Sequence, residues 1–178
     1  MPLHTLLTRI SDPTDRAAGI TLLRSLMRLP ALAFGIVVRL RNHTYTQHIL
    51  RQERLPVRVI SVGGLTVGGA GKTPVVRHLA RILADAGQRV AILSRGYGRR
   101  NTDVAVASDG GDIQMPWENI GDEPYLLASA LPDVPVVVGV DRVAGGQLAI
   151  RQFEPDVLLL DDGFQHRRLA RDLDIVVI

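Results

Sequence analysis

Between a β-branched run and a helix-like run the chain carries the stretch Thr66-Val-Gly-Gly-Ala-Gly-Lys-Thr73. No other feature limits the possible folds so tightly. Gly68, Gly69 and Gly71 let the backbone curl so that successive N–H groups point at one centre, and a helix opening at the end of the turn adds the positive pole of its dipole. "VRVISVGG" before the turn reads as a buried strand. "TPVVRHLARILADAG" after it reads as a helix, with Val76, Leu79, Ala80 and Leu83 at helical spacing and Gly87 as its stop. A strand, a glycine turn and a helix in that order belong to a parallel α/β sheet.

The turn is a variant of the phosphate-binding pattern GxxxxGK[ST], with Thr66 where the first glycine would stand. Thr66, Val67, Gly68, Gly69, Ala70, Gly71, Lys72 and Thr73 are therefore the expected nucleotide-binding loop. In that reading the Lys72 ammonium reaches the β- and γ-phosphates and the Thr73 hydroxyl is a ligand for Mg²⁺. Composition sharpens the point: of the 21 Lys and Arg side chains, 20 are arginine, and the single lysine is Lys72. A loop wrapped round a phosphate admits a slim stem with a compact ammonium and not a planar guanidinium.

The alternation continues beyond the first unit. "RVAILSRGYG" is a strand running into a glycine-bearing loop, "DVAVAS" a short strand, and "GDEPYLLASAL" a loop entering a helix. "VPVVVGV" follows as a strand, "RVAGGQLAIRQF" as a helix, and "DVLLLDD" and "DLDIVVI" as strands. Residues 51–178 are thus expected to form a P-loop NTPase-like domain, with a mostly parallel sheet and helices on both faces. Ligands in such sheets bind beyond the carboxyl ends of the strands, where the loops with Lys72, Ser94, Asp122, Asp141 and Asp161 should emerge. The last run reads as a fully buried strand with no covering helix after it, which leads to the expectation of a fragment whose C-terminal lobe is missing.

Residues 1–50 read differently. No cysteine is present, which removes disulfides and thiolate metal sites, and no cleavable signal peptide is recognisable. Residues 1–60 carry a net charge of +6 and the remainder −3. Arg24, Arg28, Arg39 and Arg41 flank or interrupt an apolar segment whose longest unbroken part is Leu29–Val38, half the ~20 residues a bilayer span needs. Pro30 is expected to kink the segment or start a second helix. A helix lying in a membrane surface, with arginines reaching the headgroups, suits this pattern; a helix packed on the protein body is the alternative. Nucleic acid is not expected, because the arginines are interleaved with Leu and Met.

Several charged residues accompany the glycine loop. "VLLLDD" ends an apolar strand in Asp161 and Asp162, the pattern of a strand that presents a carboxylate to Mg²⁺. If the strand continued, the two would point to opposite faces. Asp122 and Glu123 of "GDEP" open a helix, where carboxylates serve as caps, as a base for a hydroxyl, or in the metal shell. Arg95 and Arg142 stand in strand-end loops, as phosphate clamps or as surface arginines, and "GFQHRR" adds His166 to the same end.

Together "SVGGLTVGGAGKTP", "SRGYGRR", "GDEP", "VGVDR" and "LLLDDGFQHRRLARDLDIVVI" resemble the tetraacyldisaccharide 4′-kinases of lipid A biosynthesis, in order from about residue 10 onward. The resemblance implies an ATP- and Mg²⁺-dependent lipid kinase at the cytoplasmic face of the inner membrane. Such an enzyme forms the 4′-phosphorylated lipid A precursor from a lipid disaccharide monophosphate, with no protein partner inferred. It implies Lys72, Asp122 and Arg142 as catalytic residues, Asp122 as the base, and Thr73, Glu123, Asp161 and Asp162 in the metal and active-site shell. Gly64 and Ala70 stand where the family usually has Asn and Thr, and neither change removes a backbone donor. The family's second lobe supplies a further histidine, so this chain alone is expected to bind nucleotide and turn over poorly. The competing readings are a regulatory or partitioning P-loop NTPase without a small-molecule acceptor, and a non-enzymatic adaptor at a membrane surface.

Overall fold

The computed structural model of the protein describes residues 18–47, 50–64, 71–99 and 101–178. Of the expected nucleotide loop, Thr66, Val67, Gly68, Gly69 and Ala70 lie outside the described residues, while Gly71, Lys72 and Thr73 lie within them. Two compact units, Met1–Leu50 and Arg51–Ile178, divide the chain.

In the first unit a single helix, α1 (Ala18–Thr46), runs through Pro30. A second helix therefore does not start at the proline. The missing N–H and the ring cost about 3 kcal/mol in a helix interior, and a helix of 29 residues has enough other backbone bonds to carry that cost. Leu29, Leu32, Phe34, Val37 and Leu40 are exposed on more than one of its faces. Among the described residues no helix is long and apolar enough to cross a membrane.

The second unit is a mixed α/β fold. Its strands are β1 (Arg58–Gly64), β2 (Val90–Ser94), β3 (Ala105–Ser108), β4 (Val136–Val138), β5 (Val157–Asp161) and β6 (Leu173–Val177), in the order β3-β4-β2-β5-β1-β6. All neighbours are parallel except β3, which runs antiparallel to β4. The helices are α2 (Lys72–Asp85), α3 (Trp117–Ile120), α4 (Asp122–Ala130) and α5 (Arg142–Phe153).

Strand alternation sorts the core into two layers. Val62, Ile92, Val136, Val138, Val157 and Leu159 pack with Val76 and Ala80 of α2 and Leu127 of α4. Val59, Ala91, Leu93, Val137, Leu158 and Leu160 pack with Val143 and Ala149 of α5 on the opposite side. Burial on both faces explains why β5 reads Val-Leu-Leu-Leu with no polar alternation. The same alternation carries Ser94 and Asp161, the last residues of β2 and β5, onto the α2/α4 side.

The final strand does not match the expectation of full burial: among the described residues β6 pairs with β1 alone, and Leu173 and Val176 are 51% and 40% exposed. An apolar run signals a strand, but whether that strand has one neighbour or two depends on the order of strands in the sheet.

Two glycines let the segment after β5 lie against the end of β1. The Gly163 amide donates to the Val62 carbonyl at 3.3 Å, and a Cβ on Gly163 would sit 2.5 Å from the Leu160 Cβ and 2.8 Å from the Ser61 hydroxyl. A Cβ on Gly63 would collide with Phe164. Because the Leu160 Cβ is anchored to the main chain, the clash cannot be relieved by a rotamer change. Gly163→Ala is expected to cost about 1–3 kcal/mol by overpacking, read as a lower urea midpoint at unchanged slope. A loss below about 0.5 kcal/mol, the range of ordinary surface changes, would show that the loop yields freely.

Candidate nucleotide site

The carboxyl ends of β1, β5 and β2 lie side by side, and Lys72, Ser94, Asp161 and Asp162 meet there. Gly71 adopts a left-handed conformation (φ 73°) immediately before α2, so Lys72 and Thr73 form the first turn of the helix. The Lys72 amine lies 2.9 Å from Asp162 Oδ1; the lysine side chain is 16% exposed and the aspartate 51%. The only lysine of the chain thus reaches the carboxylate that directly follows β5.

Asp161 and Asp162 have separate surroundings, though not because the strand runs on. β5 stops at Asp161, and Asp162 turns into the left-handed region at φ 53°, which Asp tolerates better than most residues. Asp161 is 1% exposed, and its Oδ2 accepts from the Ser94 hydroxyl at 3.3 Å. Burial pushes its carboxyl up to about 6. The negative charges of Glu123 and Asp162 push the same way, and Arg142 and the Ser94 bond oppose them.

Arg142 is only 3% exposed. It donates through Nη1 to the Gly139 carbonyl at 2.7 Å and through Nη2 to the Asp161 carbonyl at 3.1 Å. It therefore ties the ends of β4 and β5 across the intervening β2. Burial lowers its guanidinium to about 10, with Asp161 the chief opposing influence. Sequence reading treats this arginine as an active-site or clamping residue. In the structure its guanidinium faces main-chain oxygens of the sheet edge.

Asp122 and Glu123 open α4 and are exposed. Gly121, which caps the helix at φ 92°, sets their place: a Cβ there would stand 2.8 Å from the Tyr97 carbonyl, so only glycine lets the "GDEP" turn approach the loop after β2 this closely. Glu123 acts on Asp161 through its charge. Asp141 caps α5, accepting from the Val143 and Ala144 amides at 2.9 and 3.2 Å. His166 is half-buried, and its Nε2 has no hydrogen-bond partner among the described residues. Burial first, and then the charge of Arg142, lowers its pKa.

Among the described residues no group of three or more His, Cys, Asp or Glu is placed to hold a metal ion unaided. The donors present nevertheless suit Mg²⁺, a hard cation commonly bound by one or two carboxylates together with water and substrate phosphates. Asp161 is a buried carboxylate crowded by other negative charge, and the half-buried Thr73 hydroxyl lies in the first turn of α2, beside Lys72.

A sequence model of the tetraacyldisaccharide-1-P 4′-kinases matches residues 23–178. The chain belongs to this family. A tetraacyldisaccharide 4′-kinase from Pelobacter propionicus is 48% identical over 99% of this chain, and one from Aquifex aeolicus is 46% identical over 88%. In both cases the chain spans 49%, about half, of the relative's length. The crystal structure of LpxK from Aquifex aeolicus in complex with ATP superposes with a TM-score of 0.81 at 47% identity, over 86% of this chain and 48% of that one.

Two features of the site escaped sequence reading. Ser94 was placed at a strand end without a partner, although its position in "VAILS" puts it on the same face as Asp161 once the two strands are known to be adjacent. The carbonyl-binding role of Arg142 leaves no trace in sequence, since a surface arginine at a helix start reads identically.

Proposed function

We propose that this chain carries the nucleotide-binding half of a kinase that transfers the γ-phosphate of ATP to the 4′-hydroxyl of a tetraacyldisaccharide 1-phosphate. The observation that carries the reading is Lys72, 2.9 Å from Asp162, which directly follows the buried Asp161 at the carboxyl edge of a mostly parallel sheet. Identity of 44–50% to 4′-kinases supports it.

In this P-loop reading Lys72 leaves Asp162 for the β- and γ-phosphates, at the start of α2. Asp122 accepts the proton of the attacking hydroxyl as the new oxygen–phosphorus bond forms and the bond to the β-phosphate oxygen breaks. Thr73 and Asp161 would hold Mg²⁺, with Glu123 and Asp162 nearby; the ion supplies charge neutralisation at the phosphates. Phosphoryl transfer asks the protein mainly for positioning and charge, and Arg142 contributes by fixing the ends of β4 and β5.

The exposed apolar side chains and basic character of α1 support contact with a membrane surface, where an acylated acceptor resides. In this reading the enzyme works at the cytoplasmic face of the inner membrane, and a further lobe would complete the acceptor site. The test is ATP consumption by the full-length enzyme in detergent, with and without acyl-disaccharide 1-phosphate. Acceptor-dependent consumption with a 4′-phosphorylated product is expected. Hydrolysis at the same rate without acceptor would instead identify a regulatory NTPase.

A further inference from the structure

We infer that Arg168 is a positioning residue that ties the segment 51–55 to the carboxylate end of β5. The segment runs beside residues 167–170. Glu53 bridges in parallel to Leu169, the Glu53 amide donates to the Arg168 carbonyl at 2.7 Å, and the Ala170 amide donates to the Glu53 carbonyl at 2.9 Å. The Arg168 guanidinium then joins two further points. Its Nε and Nη2 donate to Glu53 Oε1 at 3.0 and 2.6 Å, and its Nη1 donates to Asp141 Oδ2 at 3.0 Å.

From Asp141 the path is short. The other oxygen of that carboxylate caps α5, whose first residue is Arg142, and Arg142 holds the carbonyl of Asp161. A line therefore runs from Glu53 through the Arg168 ion pairs to Asp141, along the main chain at the start of α5 to Arg142, and from the Arg142 guanidinium to the Asp161 carbonyl. Leu55 secures the start of the line: it is buried, and its side chain fills the space that a Cβ on Gly146 of α5 would need. Segment 51–55 is thus held against both the start and the middle of α5.

Arg168, Glu53 and Asp141 are each half-exposed, and exposed ion pairs add little to stability. What the planar fork of Arg168 adds is direction, since it engages two carboxylates at once in a fixed geometry. Lysine offers a single point charge and cannot reproduce that. The effect of losing Arg168 falls on where Asp161 sits and much less on whether the domain folds.

The inference rests on the nucleotide-site reading, and its test separates the two. Calorimetric binding of ATP is measured on the full chain with Mg²⁺ and again with EDTA, for the wild type, Arg168→Gln, Arg168→Lys, Glu53→Gln and the double variant E53Q/R168Q. Thermal unfolding is recorded for each. Arg168→Gln is expected to lower the Mg²⁺-dependent gain in ATP affinity about five- to tenfold, within the range of such indirect couplings. Binding in EDTA should stay within about twofold. Arg168→Lys should recover only part of the loss, and the double variant should be no worse than Arg168→Gln, as expected of two groups on one line. An unchanged Mg²⁺ gain in Arg168→Gln overturns the inference while leaving the nucleotide site intact. So does an equal loss with and without Mg²⁺ that tracks a fall in melting temperature. A wild type that binds no ATP under either condition overturns both readings.

Discussion

Lys72→Ala is expected to lower kcat/KM of the full-length enzyme about a thousandfold or more, equivalent to about 4 kcal/mol of transition-state stabilisation. The lysine is the chain's only one, opens α2, and points its amine inward to Asp162 at 2.9 Å. Within a phosphate site that ammonium meets the charge developing on the transferred group, where a preorganised cation counts for more than in water. Removing it takes away that charge and leaves Asp162 without its ion-pair partner. Lys72→Arg restores the charge but not the shape, and should remain impaired by at least about a hundredfold if the fit of a slim stem is the reason for lysine. Kinetics with ATP and acceptor varied separately provide the check. Either variant within about tenfold of wild type would remove Lys72 from the phosphate site.

The second large effect concerns stability and activity together. Asp161 is buried, and its carboxyl is pushed up to about 6 by burial and by the charge of Glu123. An ordinary aspartate titrates near 3.8, so between about pH 4 and 6 the folded state holds more protons than the unfolded state. Stability from this group is therefore greatest below about pH 4, falls as the pH climbs through about 6, and stays low above it. A difference of about two pKa units corresponds to about 3 kcal/mol. The attraction of Arg142, itself lowered to about 10 by burial, is already included in that balance.

Asp161→Asn removes the strained charge and keeps the shape. Without nucleotide the variant should melt about 5–10 °C higher than wild type at pH 8, and the difference should vanish at pH 4. The same variant should lose most turnover, about a hundredfold or more, and most of the stabilisation that Mg²⁺ and ATP confer. Melting curves at the two pH values and a kinase assay decide the matter. A variant no more stable at pH 8 than wild type would mean that Asp161 is not strained, and retained activity would exclude it from the metal shell. The stabilising outcome would be a trade of stability for function at one residue.

Much of this site was readable from local order. The glycine turn, the lysine after it, the amphipathic spacing of α2 and the all-apolar run of β5 each depend on neighbours within a few positions. The run "RVAGGQLAIRQF" coincides with the observed limits of α5, Arg142–Phe153. What local order leaves open has a different origin. Among the described residues β6 has β1 as its single neighbour, and the reach of Arg142 to Asp161 spans 19 positions in the chain. The turn of Asp162 into the left-handed region likewise depends on how the loop after β5 meets β1.

Local chemistry written into consecutive residues was enough to name the strand–turn–helix unit, the alternating α/β class and the side chains that could meet a phosphate. Spacing, turn residues and the choice of lysine over arginine act over one or two turns of chain, so no folded context is needed to read them. Which carboxylate becomes the strained one and which arginine serves the sheet edge were settled by strand order. That order brings together residues far apart in sequence, and burial and electrostatic energy depend on distance in space and not along the chain.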